Sequence, residues 1–145
     1  MLYTPLTKKA LCLSFEAHKK QVDKSGMPYV YHPYELATQM ETEAETCVAL
    51  LHDVVEDTSM TFDDLAAEGF GEEILAALRC LTHAEGVPYM DYVRKIKENP
   101  LATKVKLADL RHNSAPGRLD SPTDKDRERI AKYHRAMALR TGEED

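Results

Sequence analysis

Cysteine is scarce and unpaired in this 145-residue chain: Cys12, Cys47 and Cys80 are odd in number, widely separated and set in apolar helical patterns. That spacing excludes a disulfide framework, a zinc knuckle and a Cys-x-x-Cys redox pair, and makes the thiols small core residues of a reducing compartment. No stretch approaches the roughly 20 consecutive apolar residues that cross a bilayer. The segment Met1 to Thr7 also lacks the charged and apolar regions of a signal peptide. The expectation is a soluble cytoplasmic protein with no membrane partner. Positive charge is in deficit: 19 Lys and Arg stand against 25 Asp and Glu, a net charge of −6. Bulk attraction to nucleic acid is thereby excluded, although a local basic pocket for phosphates remains compatible with it. Sustained strand-like alternation, internal repeats and low-complexity tracts are all missing.

What is present is helical spacing. Apolar residues recur every three or four positions through Leu6, Ala10, Leu13 and Ala17, and again through Ile74, Ala77, Leu78 and Leu81. Turn residues at 25–28, 58–61, 69–71, 86–88, 99–100 and 114–122 divide the chain into about eight helices. An all-α bundle of one domain is expected from that division and from the length. Thr61 followed by Asp64 has the form of a capping box, and Pro33 and Pro100 suit first helical positions, which sets His32 at or next to a helix N-terminus. The longest loop should run from Ser114 to Thr123, and the acidic end Gly142 to Asp145 should fray.

Against this apolar background two strings carry unusual charge: Leu51-His52-Asp53-Val54-Val55-Glu56-Asp57 and Lys106-Leu107-Ala108-Asp109-Leu110-Arg111-His112-Asn113. On a helix from about Ala44 to Val55, His52 and Glu56, like Asp53 and Asp57, are four apart and share one face. Buried without partners, each such group would cost several kcal/mol, and a divalent cation satisfies them together. His32, His52, Asp53 and Asp109 form a nitrogen and oxygen donor set suited to Mn, Fe or Zn, with coordination positions left for water and a phosphate oxygen. Glu56 and Asp57 are then surplus to the ligands and become candidates to orient or deprotonate the water of a phosphoester hydrolysis. A lone His-Asp pair is more often a surface ion pair, and Asp109 could pair with Lys106 or Arg111; the argument lies in the combination. Asn113 alone would be a helix cap. His18, His83, His112 and His134 read as surface residues or as supports behind the ligands.

With those residues in place, the chain resembles the HD-domain superfamily, and within it the hydrolase domain of the RelA/SpoT alarmone enzymes, especially the stand-alone small alarmone hydrolases. The resemblance runs from His18 to Gln21 through Lys24-Ser25-Gly26, Pro28-Tyr29, His32-Pro33, the His52-Asp53 to Glu56-Asp57-Thr58 string, Leu81-Thr82 and Val105 to Asp109, and ends at His112-Asn113. It implies a single HD-type helical domain over residues 1–145 and one Mn2+ on His32, His52, Asp53 and Asp109, with Glu56 and Asp57 acting on the water. The implied reaction removes pyrophosphate from the 3′ position of (p)ppGpp, a small nucleotide substrate. Lys24 would face the phosphates, Asn113 the sugar or base region, and Tyr133 the nucleotide pocket. Asp23 stands where these enzymes commonly carry an arginine that packs on guanine, a contact no carboxylate can make. Leu110-Arg111 reverses the usual order. The alternatives are a nucleotidase or phosphodiesterase acting on another nucleotide and a metal-containing nucleotide sensor without turnover. No synthesis activity is expected from the few residues after Tyr133, and no feature of the sequence encodes an oligomeric state.

Overall fold

The run Cys47-Val48-Ala49-Leu50-Leu51 is apolar on every side, and a helix with no polar face has to be enclosed by others. The computed structural model, which describes residues 1–114 and 124–141 (with side chains at 124–129, 131, 132 and 135 of the second stretch), shows that enclosure. Among the described residues there are nine helices: α1 Pro5–His18, α2 Tyr31–Thr38, α3 Glu43–Leu51, α4 Val54–Asp57, α5 Phe62–Ala67, α6 Glu72–Leu81, α7 Tyr89–Lys97, α8 Pro100–Asn113 and α9 Asp124–Thr141. Helix α3 runs through the middle, packed by α1, α2, α6 and α8, and α7 and α9 close the far side of α8. Extended pairing among the described residues is confined to one isolated bridge, Val22 with Pro28. No described helix is long and apolar enough to cross a membrane. The loop expected from Ser114 to Thr123 lies, after Ser114, outside the described residues, as does the end at 142–145.

Local signals fix most helix ends. Thr61 Oγ1 accepts the Asp64 N–H at 3.1 Å and Asp64 returns a bond to the Thr61 N–H at 2.9 Å, the expected reciprocal cap. Pro100 opens α8 behind Asn99, whose side chain accepts from the Ala102 N–H at 2.9 Å. Pro33 departs from expectation: α2 starts at Tyr31, so the proline sits third, still within the turn whose N–H groups have no helical partner.

The helical repeat of α1 gains a defined buried face, and two further expectations are corrected. The buried stripe of α1 is Thr7, Ala10, Ser14 and His18, rotated about 100° from the Leu6, Leu13 and Ala17 positions. Small Ala10 and Ser14 allow close approach to α3, while those three positions flank the contact as partly buried residues. The helix expected from Ala44 to Val55 ends at Leu51. His52 turns its Nδ1 back to the Ala49 carbonyl at 2.7 Å, and Asp53, at φ −107° and ψ 0°, starts the separate turn α4. Of the cysteines only Cys47 is a buried core residue; Cys80 is half-buried and Cys12 exposed on the outer side of α1.

Candidate metal centre and substrate cavity

Three helical segments converge on one point. The first turn of α2 contributes His32, the break between α3 and α4 contributes His52, and the last turns of α8 contribute Asp109; all three are buried, with donor atoms within 4.8 Å of one another. Asp109 is the hub. Its Oδ1 lies 2.7 Å from His32 Nε2 and 3.7 Å from His52 Nε2, and accepts from Asn113 Nδ2 at 3.0 Å, while Oδ2 accepts from Lys106 Nζ at 2.9 Å. Lys106, Asp109 and Asn113 meet because offsets of three and four share one face of a continuous helix. Arg111, two positions from Asp109, points the other way and is exposed, so Lys106 is the partner.

His52 carries the test of whether this set fits a cation. Its ring nitrogen Nδ1 donates to the Ala49 carbonyl, which leaves Nε2 buried, 3.0 Å from Asp53 Oδ2, and without a well-directed hydrogen bond. Burial alone would push the His52 pKa down; the Asp53 and Asp109 carboxylates overcome it and hold the pKa well above the usual imidazole range. A field that favours positive charge between buried imidazole and carboxylate donors also favours a metal ion, and the donor set fits one. Asp53 borders this cluster rather than completing it: Oδ2 also accepts from the Tyr29 hydroxyl.

The charges around the centre fall into two groups. Burial would raise the Asp109 pKa, yet Lys106 and the two imidazoles hold it well below the usual carboxyl range. Burial raises both Glu56 and Asp57, with the Asp53 charge adding to the effect. Glu56 Oε1 accepts the His83 backbone N–H, tying α4 to the loop after α6. A cavity of about 160 Å³ opens at the centre, lined by His52, Asp53, Asp109 and Lys106 together with Glu56, His83, Tyr89 and Tyr92. His83 and Tyr92 lie face to face, ring centroids 4.5 Å apart.

The remaining expected site residues are placed as follows. Lys24 lies outside the cavity lining and pairs with buried Asp126 of α9 at 3.2 Å. Asp57 is also outside that lining, and Asn113 spends one amide hydrogen on Asp109. Tyr133 lies on α9 with its side chain outside the described residues. Asp23 closes the 23–27 turn, its Oδ1 accepting from the N–H groups of Ser25 at 2.9 Å and Met27 at 3.0 Å. Residue-by-residue reading undervalued Tyr29, Lys106, His112 and the His83, Tyr89 and Tyr92 wall. The offsets of three separating Tyr29 from His32, and Lys106 and His112 from Asp109, were the available signal. The wall comes from elements remote in sequence and had none.

Fold and site thus define a helical protein with a buried His/Asp donor cluster beside a cavity of mixed polar and apolar lining. No protein-family model matches the chain. It is 31% identical over 134 residues to the guanosine-3′,5′-bis(diphosphate) 3′-pyrophosphohydrolase of Mus musculus, an alignment covering 82% of this chain and 74% of that protein. It is also 31% identical over 139 residues to a probable enzyme of the same name from Synechocystis, covering 86% of this chain and 18% of the relative. The bifunctional (p)ppGpp synthase/hydrolase of Escherichia coli matches at 30% over 121 residues, covering 73% and 17%. The chain therefore spans less than a fifth of the long relatives and about three-quarters of the mouse protein. A solved metazoan SpoT orthologue described as hydrolysing ppGpp shares the fold, at a TM-score of 0.75 and 23% identity over 97% of this chain and 87% of that one. The chain belongs to the guanosine-3′,5′-bis(diphosphate) 3′-pyrophosphohydrolase family.

Proposed function

We propose that residues 1–145 form one phosphohydrolase domain, dependent on a divalent metal, that removes pyrophosphate from the 3′ position of ppGpp with addition of water, releasing GDP. The observation that carries this reading is the convergence of His32, His52 and Asp109 within 4.8 Å, with His52 and Asp109 lining a cavity. Asp53 adds a second carboxylate, and a fourth donor, beside His52, and Mn2+ suits four such nitrogen and oxygen donors with positions to spare. A divalent ion bound there lowers the pKa of a water and offsets negative charge on phosphate oxygens.

Every other role falls to the chain's own groups. Glu56 borders the cavity with a carboxyl whose pKa is raised by burial, which makes it a stronger base than an ordinary carboxylate and the group to accept the water proton; Asp57, raised in the same way, assists from outside the lining. Lys106 supplies a half-buried positive charge in the cavity lining. Lys24 serves incoming phosphates from the rim, exchanging its Asp126 partner for them, and Asn113 and Tyr133 contribute to the nucleotide side. The two extra carboxylates disfavour a sensor without turnover, because they repel an anionic ligand unless they act on it. The relatives' substrate and the cytoplasm as the site of action complete the reading.

Purified protein incubated with Mn2+ and a panel of nucleotides tests it by product analysis: pyrophosphate and GDP should appear from ppGpp. Turnover of 5′-monophosphates with ppGpp left intact would reject the alarmone assignment and favour the nucleotidase reading that Asp23 opens.

A further inference from the structure

The contact between His32 and His112 has a geometry that decides where protons must sit. The two ring planes are 7° apart with centroids 5.0 Å apart, and the two Nδ1 atoms are 2.7 Å apart. Each nitrogen lies about 1.1 Å from its own ring centroid, so the centroid separation is used up by the contact plus one ring radius on either side. The nitrogens therefore lie on the line joining two coplanar rings. This is an edge-to-edge N–H···N bond rather than a face-to-face stack, and one nitrogen carries the hydrogen while the other supplies the lone pair.

Which nitrogen does which follows from the other side of His32. Its Nε2 is the atom 2.7 Å from Asp109 Oδ1, and a metal-ligating Nε2 must offer a lone pair, which moves the ring proton to Nδ1. We propose that His112 is a positioning residue: its Nδ1 accepts from His32 Nδ1–H and so fixes both the tautomer and the ring plane in which His32 presents Nε2 to a divalent cation. The inference rests on the metal-site reading above. It assigns α8 a double task, because the helix that supplies Asp109 also supplies, three residues later, the group that sets the tautomer of a ligand on α2. His52 solves the same problem through the Ala49 backbone carbonyl, a solution no substitution at another side chain can remove. His112 is the side-chain version and can be tested.

The experiment is a Mn2+ titration of the metal-free full chain, following free Mn2+ by electron paramagnetic resonance at one alkaline pH. His112→Phe keeps the ring volume and removes the acceptor; its affinity should fall about 10- to 100-fold. His112→Asn puts Oδ1 where Nδ1 was and should restore affinity to near wild type. Phe binding as tightly as wild type, or Asn binding as weakly as Phe, overturns the inference. The wild-type chain gives a second readout that does not depend on how the variants fold. In the Zn2+-loaded protein, long-range 1H–15N correlations should show His32 protonated at Nδ1 and His112 protonated at Nε2 alone; a proton on His112 Nδ1 overturns it. Wild-type protein that binds no metal overturns the metal reading together with this one, whereas tight wild-type binding with an indifferent Phe variant overturns this one alone.

Discussion

The junction of α3 with α4 and the C-terminal half of α8 both lift polar groups out of an apolar frame, and they do so in different ways. At the junction the backbone breaks: α3 stops at Leu51, His52 bonds back to Ala49, and Asp53, Glu56 and Asp57 fan out over the short turn α4. In α8 the helix stays intact, and Lys106, Asp109 and Asn113 meet on one face. The electrostatic outcome differs accordingly. A cation three residues away holds the α8 carboxylate ionised, whereas burial first, and then the Asp53 charge, push Glu56 and Asp57 toward protonation. A fixed ligand belongs on the first kind of segment and a proton acceptor on the second.

The largest effect should come from the α8 side. Asp109→Asn removes the hub and leaves the half-buried Lys106 without its counter-ion, so Mn2+ binding and ppGpp turnover should both disappear. Urea denaturation should register a loss of about 3–5 kcal/mol. Near-normal metal affinity in this variant would break the comparison outright. On the α4 side Glu56→Gln should lower turnover about 10²- to 10⁴-fold while metal stoichiometry stays intact. Normal turnover would show that Glu56 is not the base, and loss of metal would move Glu56 among the ligands.

In metal-free protein the two segments should respond to pH with opposite signs. The depressed Asp109 pKa contributes stability that is present above the ordinary carboxyl range and lost as pH falls through the folded value. The raised Asp57 pKa costs stability at neutral pH, a cost relieved as pH falls through its raised value. Asp57→Asn should therefore raise the thermal midpoint slightly at neutral pH and give no gain in acid; scanning calorimetry at both pH values checks it, and a gain confined to acid contradicts the sign. The smallest effect is expected at the opposite end of α8. Asn99→Ala removes the cap on Ala102 and should cost about 1 kcal/mol with no change in Mn2+ affinity.

Helical class and most helix ends were legible because they are local. Spacing of three and four in Ile74, Ala77, Leu78 and Leu81 marks the buried face of α6, and the Thr61 and Asp64 cap is written within four residues. The helical repeat of α1 was legible, Ala10 included, but its full buried face was not, because Thr7, Ser14 and His18 carry no apolar signal while close packing against α3 favours small residues. The end of α3 was misread because periodicity carries no sign that the His52 ring would turn back to a main-chain carbonyl.

The sequence by itself determined the inventory of the site: imidazoles and carboxylates too costly to bury alone, set in helices whose apolar faces leave few ways to enclose α3. Only the tertiary structure decided how those groups pair. Lys106 rather than Arg111 faces Asp109, Lys24 reaches Asp126, Asp23 folds into its own turn, and His112 meets His32 nitrogen to nitrogen. The last distance joins residues 80 positions apart. Chemical type is a property of each residue, whereas a hydrogen bond depends on ångström-scale separations between helices that only the packed core sets.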